Sequence, residues 1–325
     1  MAIPKVFIDG EAGTTGLQIY QRLANREDLE VISIAPEKRK EAAERAKLIN
    51  AADVAILCLP DEAAREAASW VDNDHTKILD ASTAHRTANG WVYGFPEMTP
   101  TQREQIVQSN RVSNPGCYPT GFLALMAPLV ESGLIPNDVA ITVNAISGYS
   151  GGGKKLIAQY EGFREGAPTA TESTAPYSPY GLKFGHKHVK EMQVYSGLNH
   201  APLFVPAVGD FEKGMVVQVP LPLWSLENPP TGTQLHSQLS QHYSNEPFVR
   251  VMPYQGNGEL RNDTFLEAKN ANNTNEVQLF VFANDDTKEA LLVARLDNLG
   301  KGASGAAVQN LNIMLGLPET TSLLS

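Results

Sequence analysis

Cys117 is the residue of this sequence with the clearest chemical potential. It stands in the stretch 113–120, which reads SNPGCYPT. Pro119 suits the first turn of a helix, and apolar residues then recur at helical spacing through 122–130. The pattern places the thiol just before a helix N-terminus, where unpaired N–H groups and the helix dipole favour the thiolate. A thiolate in that position predicts covalent catalysis.

The alternative for Cys117 is a small packed residue in a turn, because free cysteines are often buried. Its glycine and Tyr-Pro neighbours make a tight and polar setting, which favours a functional thiol. The second cysteine, Cys58, stands in the apolar run 54–59 and is predicted to be inert core. Two cysteines in such unlike positions predict no disulfide framework.

A glycine-rich turn near the N-terminus predicts a nucleotide site. The apolar strand 6–8 is followed by three glycines at the spacing G-x-x-G-x-x-G, which open a predicted helix. Such a turn lets the backbone approach a pyrophosphate, whose charge the helix N-terminus meets. A glycine turn needed only for packing is the alternative. The residues predicted to bind the cofactor here are Gly10, Gly13, Thr14, Thr15 and Gly16.

The segment after the second predicted strand bears on which dinucleotide binds. No carboxylate ends the strand 31–34, whereas a carboxylate there would suit the ribose of NAD. Three cations follow at 38–40 and suit a 2′-phosphate, so the sequence favours NADP. A solvated basic turn before the helix predicted at 41–48 is the alternative. The predicted contacts are Ser33, Lys38 and Arg39.

A polar loop follows the strand predicted at 78–80, and parallel sheets bind ligands at such carboxyl ends. Ser82 is a candidate for cofactor contact in this loop. Arg86 has the planar fork that holds a phosphate or a carboxylate. A solvated surface arginine is the alternative.

The order of the predicted elements indicates an α/β protein. Strands and helices alternate up to residue 115, as in a Rossmann-type doubly wound parallel sheet. Beyond that point, the predicted strands 215–219 and 279–283 suit an α+β domain with a mixed or antiparallel sheet. A chain of 325 residues exceeds what one hydrophobic core usually organises, so two domains are expected.

A second glycine-rich segment raises a rival interpretation. Residues 148–154 fit G-x-x-x-x-G-K, the phosphate loop of nucleotide hydrolases, after a strand predicted at 139–146 and before a possible helix at 156–160. Lys155 then stands where that motif needs Ser or Thr to bind magnesium, which argues against a hydrolase. The glycines and lysines remain able to hold a substrate phosphate, or merely to turn the chain.

His186 and His188 flank Lys187 and are candidate proton carriers. Either histidine, placed against Cys117, would act as general base and then as general acid. The two side chains share one face if the segment is extended, which is half of a metal site. No further ligand lies nearby in the sequence, so no metal is expected. A structural histidine is the alternative for either residue.

Small residues crowd the helix predicted near the C-terminus, at 304–315. They let another backbone or a flat cofactor approach closely, and Asn310 is a candidate for cofactor contact. Tight packing of the helix on a sheet is the alternative, and the two are compatible.

Charge and hydropathy exclude several classes of function. The sequence has 26 basic and 36 acidic residues, a formal charge of −10, which opposes nonspecific binding of nucleic acid. Any anionic ligand must therefore be held by local cations. No stretch approaches the ~18 apolar residues of a membrane span, and the N-terminus runs into a strand without an apolar targeting segment. A cytoplasmic protein without nucleic-acid or membrane partners is expected.

Four segments together resemble the N-acetyl-gamma-glutamyl-phosphate reductases. They are the glycine motif at 10–16, SNPGCYPT at 113–120, GHKH at 185–188 and DNLGKGA at 297–303. The glycine motif is shared with the aspartate-semialdehyde dehydrogenases, whose architecture this family resembles. The length, and FVPAVG at 204–209, are similar to the shorter branch of the family. Longer relatives carry a P-x-x-R-G type of element there, and its absence leaves open which cation holds the substrate phosphate.

The resemblance implies an NADP-dependent enzyme of arginine biosynthesis. It would reduce N-acetyl-L-glutamyl 5-phosphate to N-acetyl-L-glutamate 5-semialdehyde and phosphate through a thioester on Cys117, with His186 or His188 moving a proton. The small-molecule acyl phosphate would be its partner. The candidate substrate-binding residues are Arg86, Asn114, Lys154 and Lys183, with Lys155 and Lys187 as further possible phosphate binders.

The resemblance also implies a domain organisation and an assembly. An NADP-binding Rossmann domain would span 1–115, a catalytic and oligomerisation domain 116–297, and a C-terminal helix within 298–325 would return to the first domain. A homodimer or homotetramer is expected. Three alternatives stay open: an aspartate-semialdehyde dehydrogenase, separated by substrate size; a magnesium-dependent phosphate-loop hydrolase; and a nucleotide sensor without catalysis.

Overall fold

The computed structural model describes residues 3–164 and 175–324, which form two compact units. The first unit contains the chain up to Gly116 and again from Ala303 to Leu324, and the second contains Cys117–Gly302. All the residues predicted to form a site lie within the described ranges. No helix in these ranges is long and apolar enough to cross a membrane.

The first unit is built on a sheet of six parallel strands. They are β1 (Lys5–Asp9), β2 (Glu30–Ile32), β3 (Val54–Leu57), β4 (Lys77–Asp80), β5 (Val92–Tyr93) and β6 (Arg111–Ser113), in the order β2-β1-β3-β4-β6-β5. Its helices before residue 117 are α1 (Thr14–Leu23), α2 (Ala42–Ala51), α3 (Asp61–Ser69) and α4 (Gln102–Gln108). The alternation of strand and helix confirms the predicted Rossmann-type sheet.

Apolar side chains are buried on both faces of this sheet. Val6 and Ile8 of β1 pack in one core cluster with Leu23 of α1. Phe7, which lies between them in the strand, packs in a second cluster with Ile49 of α2. Successive side chains of a strand face opposite sides, so a sheet covered by helices on both faces needs a continuously apolar strand.

The second unit has a mixed sheet of seven strands. They are β7 (Thr142–Gly148), β8 (Tyr177–Pro179), β9 (Leu203–Gly209), β10 (Met215–Leu221), β11 (Val249–Val251), β12 (Val277–Asn284) and β13 (Glu289–Leu296), in the order β11-β12-β13-β10-β7-β9-β8. The pairs β7–β9 and β11–β12 are parallel, and the other neighbours are antiparallel. Its helices are α5 (Cys117–Glu131), α6 (Gly153–Arg164), α7 (His188–Ser196) and α8 (Gly232–His242). The predicted α+β domain is confirmed.

Helix α5 carries Cys117 and is almost wholly buried against this sheet. A Cβ on Gly121 would lie 2.9 Å from Cγ2 of Val217 in β10, so glycine lets the helix approach the strand closely. Cys117 is the first residue of α5, whereas the sequence placed it just outside the helix. The helix can begin before Pro119 because N–H groups in a first turn have no intrahelical partner to lose.

Other predicted elements also differ in their bounds. The strand predicted at 139–146 is β7, which begins three residues later, at Thr142, and ends two residues later, at Gly148. The helix predicted at 156–160 begins already at Gly153, whose φ of +73° turns the chain directly into α6. Lys154 and Lys155 are therefore helical. His188 begins α7, so the two histidines are not on an extended segment.

The last helix, α9 (Gly305–Met314), belongs to the first unit and is buried along its whole length. Ala307, Val308 and Leu311 join the core cluster of Val6 and Ile8. The small residues therefore serve the tight packing of helix on sheet that the sequence analysis considered.

Candidate active site and cofactor site

A cavity of about 800 Å³ opens beside Cys117 in the second unit. Its wall is formed by the start of α5, the end of β7 with the turn after it, α6, β8 and the segment that leads into α7. The chemically active side chains that line it are Cys117, Tyr118, Ser147, Lys155, Tyr180, His186, Lys187 and His188. The structure thus brings the three predicted catalytic residues, Cys117, His186 and His188, to one cavity.

Gly302, in the motif at 297–303, lies directly beside Cys117. A Cβ on Gly302 would lie 2.8 Å from the Cβ of Cys117, closer than real Cβ atoms approach. The carboxylate of Asp297 fixes the same segment by accepting hydrogen bonds from the N–H of Leu299 at 2.8 Å and of Asn273 at 2.7 Å. Only glycine therefore lets this anchored segment pass the nucleophile.

Two tyrosines form a hydrogen-bonded chain in the cavity wall. The Tyr180 hydroxyl donates to the Tyr118 hydroxyl at 3.2 Å, and Tyr118 donates to the carbonyl of Ala207 at 3.2 Å. Burial, with Tyr180 and Cys117 nearby, raises the pKa of Tyr118 far above its usual value. Burial also raises the pKa of Tyr180 to about 12. Both side chains therefore stay neutral at physiological pH.

His186 and His188 face each other with ring centroids 4.8 Å apart. The backbone N–H of His188 donates to Nδ1 of His186 at 3.2 Å, so the proton of the neutral His186 ring is on Nε2. Burial, and then the charge of Lys187, lower the pKa of His186 below its usual value. At neutral pH, His186 is therefore an uncharged ring with an Nε2–H to donate.

Among the described residues, two cations line the cavity, Lys155 in the first turn of α6 and Lys187 between the two histidines. Lys154 and Lys183, two of the predicted substrate-binding residues, are exposed and do not line it. Since α6 begins at Gly153, Lys154 and Lys155 point in directions about 100° apart around the helix. Of the lysines proposed as phosphate binders, the structure therefore places Lys155 and Lys187 in the cavity lining.

Arg86 and Asn114, the other predicted substrate-binding residues, are buried in the first unit. Nε of Arg86 donates to the carbonyl of Asn114 at 2.9 Å, and Nδ2 of Asn114 donates to the carbonyl of Ala303 at 3.0 Å. Nδ2 of Asn310 in turn donates to Oδ1 of Asn114 at 3.2 Å and to the carbonyl of Gly94 at 2.8 Å. These side chains hold the backbone of the segment that leads to Cys117.

The loop after β4 is organised around the buried carboxylate of Asp80. The Ser82 hydroxyl donates to Asp80 at 2.8 Å, and Nδ1 of His85 lies 2.6 Å from the same Oδ2 atom. The His85 ring also stacks on Trp91 with centroids 3.9 Å apart. Ser82, a predicted cofactor contact, is thus bonded within its own loop.

The glycine turn after β1 has the form that a dinucleotide-binding turn needs. Gly10 has a φ of +89°, and a Cβ there would lie 2.4 Å from the carbonyl oxygen of Cys58. A Cβ on Gly16 would lie 2.3 Å from the carbonyl oxygen of Gly10. A larger residue at position 16 would therefore prevent α1 from packing against the turn. Gly13 precedes Thr14, the first residue of α1, so Thr14 and Thr15 sit in the helix's first turn. The residues present fit a nicotinamide dinucleotide at this turn.

A second cavity, of about 460 Å³, lies at the carboxyl ends of β1 and β2 in the first unit. Its lining includes the predicted contacts Ser33 and Arg39, and also Glu11 from the glycine turn. Nη2 of Arg39 lies 2.6 Å from Glu11, and the Ser33 hydroxyl donates to Glu11 at 3.3 Å. Lys38 does not line the cavity and pairs with Glu44 at 3.5 Å.

Comparison with known proteins decides the family. Residues 5–106 match the family profile "Semialdehyde dehydrogenase, NAD binding domain", and residues 117–298 match "Semialdehyde dehydrogenase, dimerisation domain". N-acetyl-gamma-glutamyl-phosphate reductase 2 of Nostoc sp. is 66% identical over 320 residues, which cover 98% of this chain and 99% of that one. The chain belongs to the N-acetyl-gamma-glutamyl-phosphate reductase family. The reductase of Mesorhizobium japonicum is 52% identical, with 97% of this chain and 99% of that one covered.

Solved structures place this reductase in the fold of the aspartate-semialdehyde dehydrogenases. A probable aspartate-semialdehyde dehydrogenase from Pseudomonas aeruginosa aligns with a TM-score of 0.72 at 14% identity, covering 97% of this chain and 99% of that one. Aspartate semialdehyde dehydrogenase II from Vibrio cholerae aligns with a TM-score of 0.70 at 16% identity, with the same coverage. Identities this low establish the shared fold alone.

Several residues of the reductase's two cavities escaped sequence reasoning. Tyr118 and Tyr180 were not among the predicted site residues, although Tyr118 directly follows Cys117 and Tyr180 lies in the proline- and tyrosine-rich stretch 176–182. Glu11 was not predicted either, because a dinucleotide-binding turn is recognised by its glycines and its helix N-terminus, not by the residues between the glycines. Cys58 lies outside both linings, and burial, with Asp80 and Asp9, raises the pKa of its thiol to about 12.

Proposed function

We propose that this chain reduces N-acetyl-L-glutamyl 5-phosphate with NADPH to N-acetyl-L-glutamate 5-semialdehyde and phosphate, a step of arginine biosynthesis. The observation that carries the proposal is the placement of Cys117, His186 and the two lysines in one cavity. It occurs in a chain 66% identical to a relative whose name states this activity. An acyl phosphate needs a nucleophile for its carbonyl carbon and cations for its leaving group, and the cavity supplies both.

In the first half-reaction, Sγ of Cys117 attacks the acyl carbon, and a C–S bond forms as the C–O bond to phosphate breaks. The thiol proton leaves on the phosphate, so the step balances as a thioester and hydrogen phosphate. Lys155 and Lys187 lie in the same cavity and offset the charge that collects on the phosphate oxygens. His188 is the residue that we assign to carry the proton from sulfur to phosphate.

In the second half-reaction, the thioester carbon accepts a hydride, which NADPH supplies when bound. Nε2–H of His186 donates a hydrogen bond to the carbonyl oxygen as it becomes negative. The C–S bond of the thiohemiacetal anion then breaks, which releases the aldehyde and the Cys117 thiolate, and the thiolate takes up one proton from solvent to restore the thiol. Thiolate suits both steps because it is a good nucleophile and a good leaving group. A ring that is neutral at pH 7 suits the donor role, since it holds its proton.

The cavity wall also offers a place for an N-acetyl group. Leu156 and Tyr160 of α6 line the cavity, and the Tyr160 ring stacks on Tyr149 with centroids 4.7 Å apart. An apolar wall suits the methyl group of an N-acetyl substrate. An aspartate derivative has a free amino group instead and therefore no such methyl group. This wall favours the acetylated substrate over the aspartate-semialdehyde alternative.

NADPH would be held by the first unit. The glycine turn and the first turn of α1 would receive the pyrophosphate, and Ser33 and Arg39 would meet the adenosine ribose and its 2′-phosphate. We keep Ser82 and Asn310 as predicted contacts for the remainder of the cofactor. Lys38, paired with Glu44, would act from outside the cavity.

The proposal is tested by the reverse reaction. The protein is mixed with N-acetylglutamate semialdehyde, phosphate and NADP, and reduced nicotinamide is followed by absorbance. We expect phosphate-dependent turnover that is at least about 10²-fold faster than with aspartate semialdehyde, as a pocket for one extra group allows. Equal or faster turnover of aspartate semialdehyde would overturn the substrate assignment. NADPH binding without turnover of either substrate would favour a nucleotide sensor.

The assembly of the protein and its location in the cell are further proposals. The match of residues 117–298 to a profile described as a dimerisation domain supports a homodimer or a homotetramer. Light scattering on the eluted protein distinguishes both from a monomer. A cytoplasmic location stays a prediction from composition.

A further inference from the structure

Glu11 occupies the cavity where an adenosine ribose would bind. Its carboxylate lies between the guanidinium of Arg39, at 2.6 Å, and the hydroxyl of Ser33, at 3.3 Å. The cavity lies at the carboxyl ends of two adjacent parallel strands, β1 and β2, where such sheets bind the ribose of a dinucleotide. A carboxylate and a cation therefore share the position that distinguishes NAD from NADP.

The backbone keeps Glu11 in this place. Gly16 packs so closely that a Cβ on it would lie 2.9 Å from Cα of Glu11. The Glu11 side chain is 14% exposed, whereas that of Arg39 is 40% exposed. Arg39 is thus the more exposed member of the pair, and Glu11 is the more buried one.

The two groups favour different cofactors. A carboxylate accepts hydrogen bonds from the ribose hydroxyls of NAD, whereas a guanidinium suits the 2′-phosphate of NADP. A 2′-phosphate bound to Arg39 must take that cation from Glu11 and then lie beside a like charge. An unphosphorylated ribose meets no such competition.

We propose that Glu11 is a specificity-determining residue that weakens binding of the 2′-phosphate and so limits the preference for NADP(H) over NAD(H). The proposal rests on the cofactor use stated under the proposed function. Arg39 provides the preference for NADP, and Glu11 limits it. Replacing Glu11 by an uncharged isostere should therefore increase the discrimination between the two cofactors.

Binding of mononucleotide probes to the full-length protein tests this without turnover. Isothermal titration calorimetry measures the Kd of adenosine 2′,5′-bisphosphate and of 5′-AMP. Glu11→Gln should tighten binding of the bisphosphate by roughly two- to fivefold, the range of a partly exposed charge pair, and should not tighten 5′-AMP. Arg39→Gln should weaken the bisphosphate alone. Glu37→Gln, which removes one exposed carboxylate outside the cavity, is the matched control and should change neither Kd.

The sign of the Glu11→Gln effect decides the proposal. If Glu11 serves only to hold Arg39 in place, the variant will bind the bisphosphate more weakly. Weaker binding and an unchanged Kd would each contradict the proposal. Glu11→Ala repeats the measurement should the glutamine variant fold poorly. The probes contain neither nicotinamide nor acyl phosphate, so a wrong substrate assignment would leave this result intact. Failure here would likewise leave the turnover assay standing.

Discussion

Cys117 and Cys58 differ in what surrounds the sulfur. Cys117 begins a helix and lines a cavity with two lysines, whereas burial raises the pKa of Cys58 to about 12. We expect Cys117→Ala to lose activity by about 10⁴-fold or more, as removal of a covalent nucleophile does. Cys58→Ala should keep activity within about twofold, because it removes a thiol that lines neither cavity and keeps the backbone carbonyl against which Gly10 packs. Iodoacetamide labelling read by mass spectrometry should modify Cys117 first, and prior labelling of Cys58 would contradict the assignment.

The two histidines have separable roles if His186 donates from Nε2. A glutamine amide places an N–H near the position of Nε2 but cannot carry a proton. We therefore expect His186→Gln to keep at least about tenfold more activity than His186→Ala, and His188→Gln to be as poor as His188→Ala. The measurement is kcat in the reverse reaction. Equal losses for His186→Gln and His186→Ala would show that His186, too, must move a proton.

Lys187 should set the acid limit of activity through His186. Burial, and then the charge of Lys187, lower the pKa of His186. In the proposed mechanism the neutral ring is the active form. Removing the charge in Lys187→Met raises that pKa, so a larger fraction of the ring is protonated at a given acidic pH. The acid limb of the kcat profile should therefore move to higher pH, by a few tenths of a unit. Lys183→Met, an exposed lysine outside the cavity, is the control, and a limb that stays in place would refute the coupling.

The segment 297–303 passes directly beside the start of α5. Its Gly302 has no room for a Cβ beside Cys117. Gly302→Ala must shift one of the two, and a displacement near 1 Å can lower kcat by about 10²-fold. The Kd of adenosine 2′,5′-bisphosphate should stay unchanged, since its cavity lies in the other unit. Gly133→Ala is the control for backbone strain alone, because Gly133 has a positive φ and open space where a Cβ would lie.

The elements that a local sequence pattern defines were predictable. Which side chains at the ends of those elements line a cavity was not. The glycine turn and the helix after Cys117 follow from residues close in sequence, and both are present. Lys155 was not separable from Lys154, because three glycines before them leave the helix start undetermined and one residue turns a helix by about 100°. The Glu11–Arg39 pair needed the pairing of β1 with β2, which links residues 28 positions apart. Non-local pairing of this kind is invisible to spacing.

At the scale of the whole molecule, the first unit is built from both ends of the chain. Leu311 of α9 is fully buried in a core cluster whose other members come from the first 112 residues and from α9 itself. Leu311→Ala leaves a cavity there, which should cost about 2–5 kcal/mol. Because two compact units can melt separately, calorimetry should show a lowered transition for the first unit. Leu324→Ala, at an exposed position, should leave the transition unchanged.

Ligand linkage identifies which transition belongs to the first unit. Adenosine 2′,5′-bisphosphate at 100 times its Kd should stabilise the unit that binds it by about 2.7 kcal/mol. The transition that Leu311→Ala lowers should therefore be the one that the nucleotide raises, although α9 and the glycine turn lie almost 300 residues apart in the sequence. If the nucleotide raised a different transition, the last helix would not share a cooperative unit with the cofactor site.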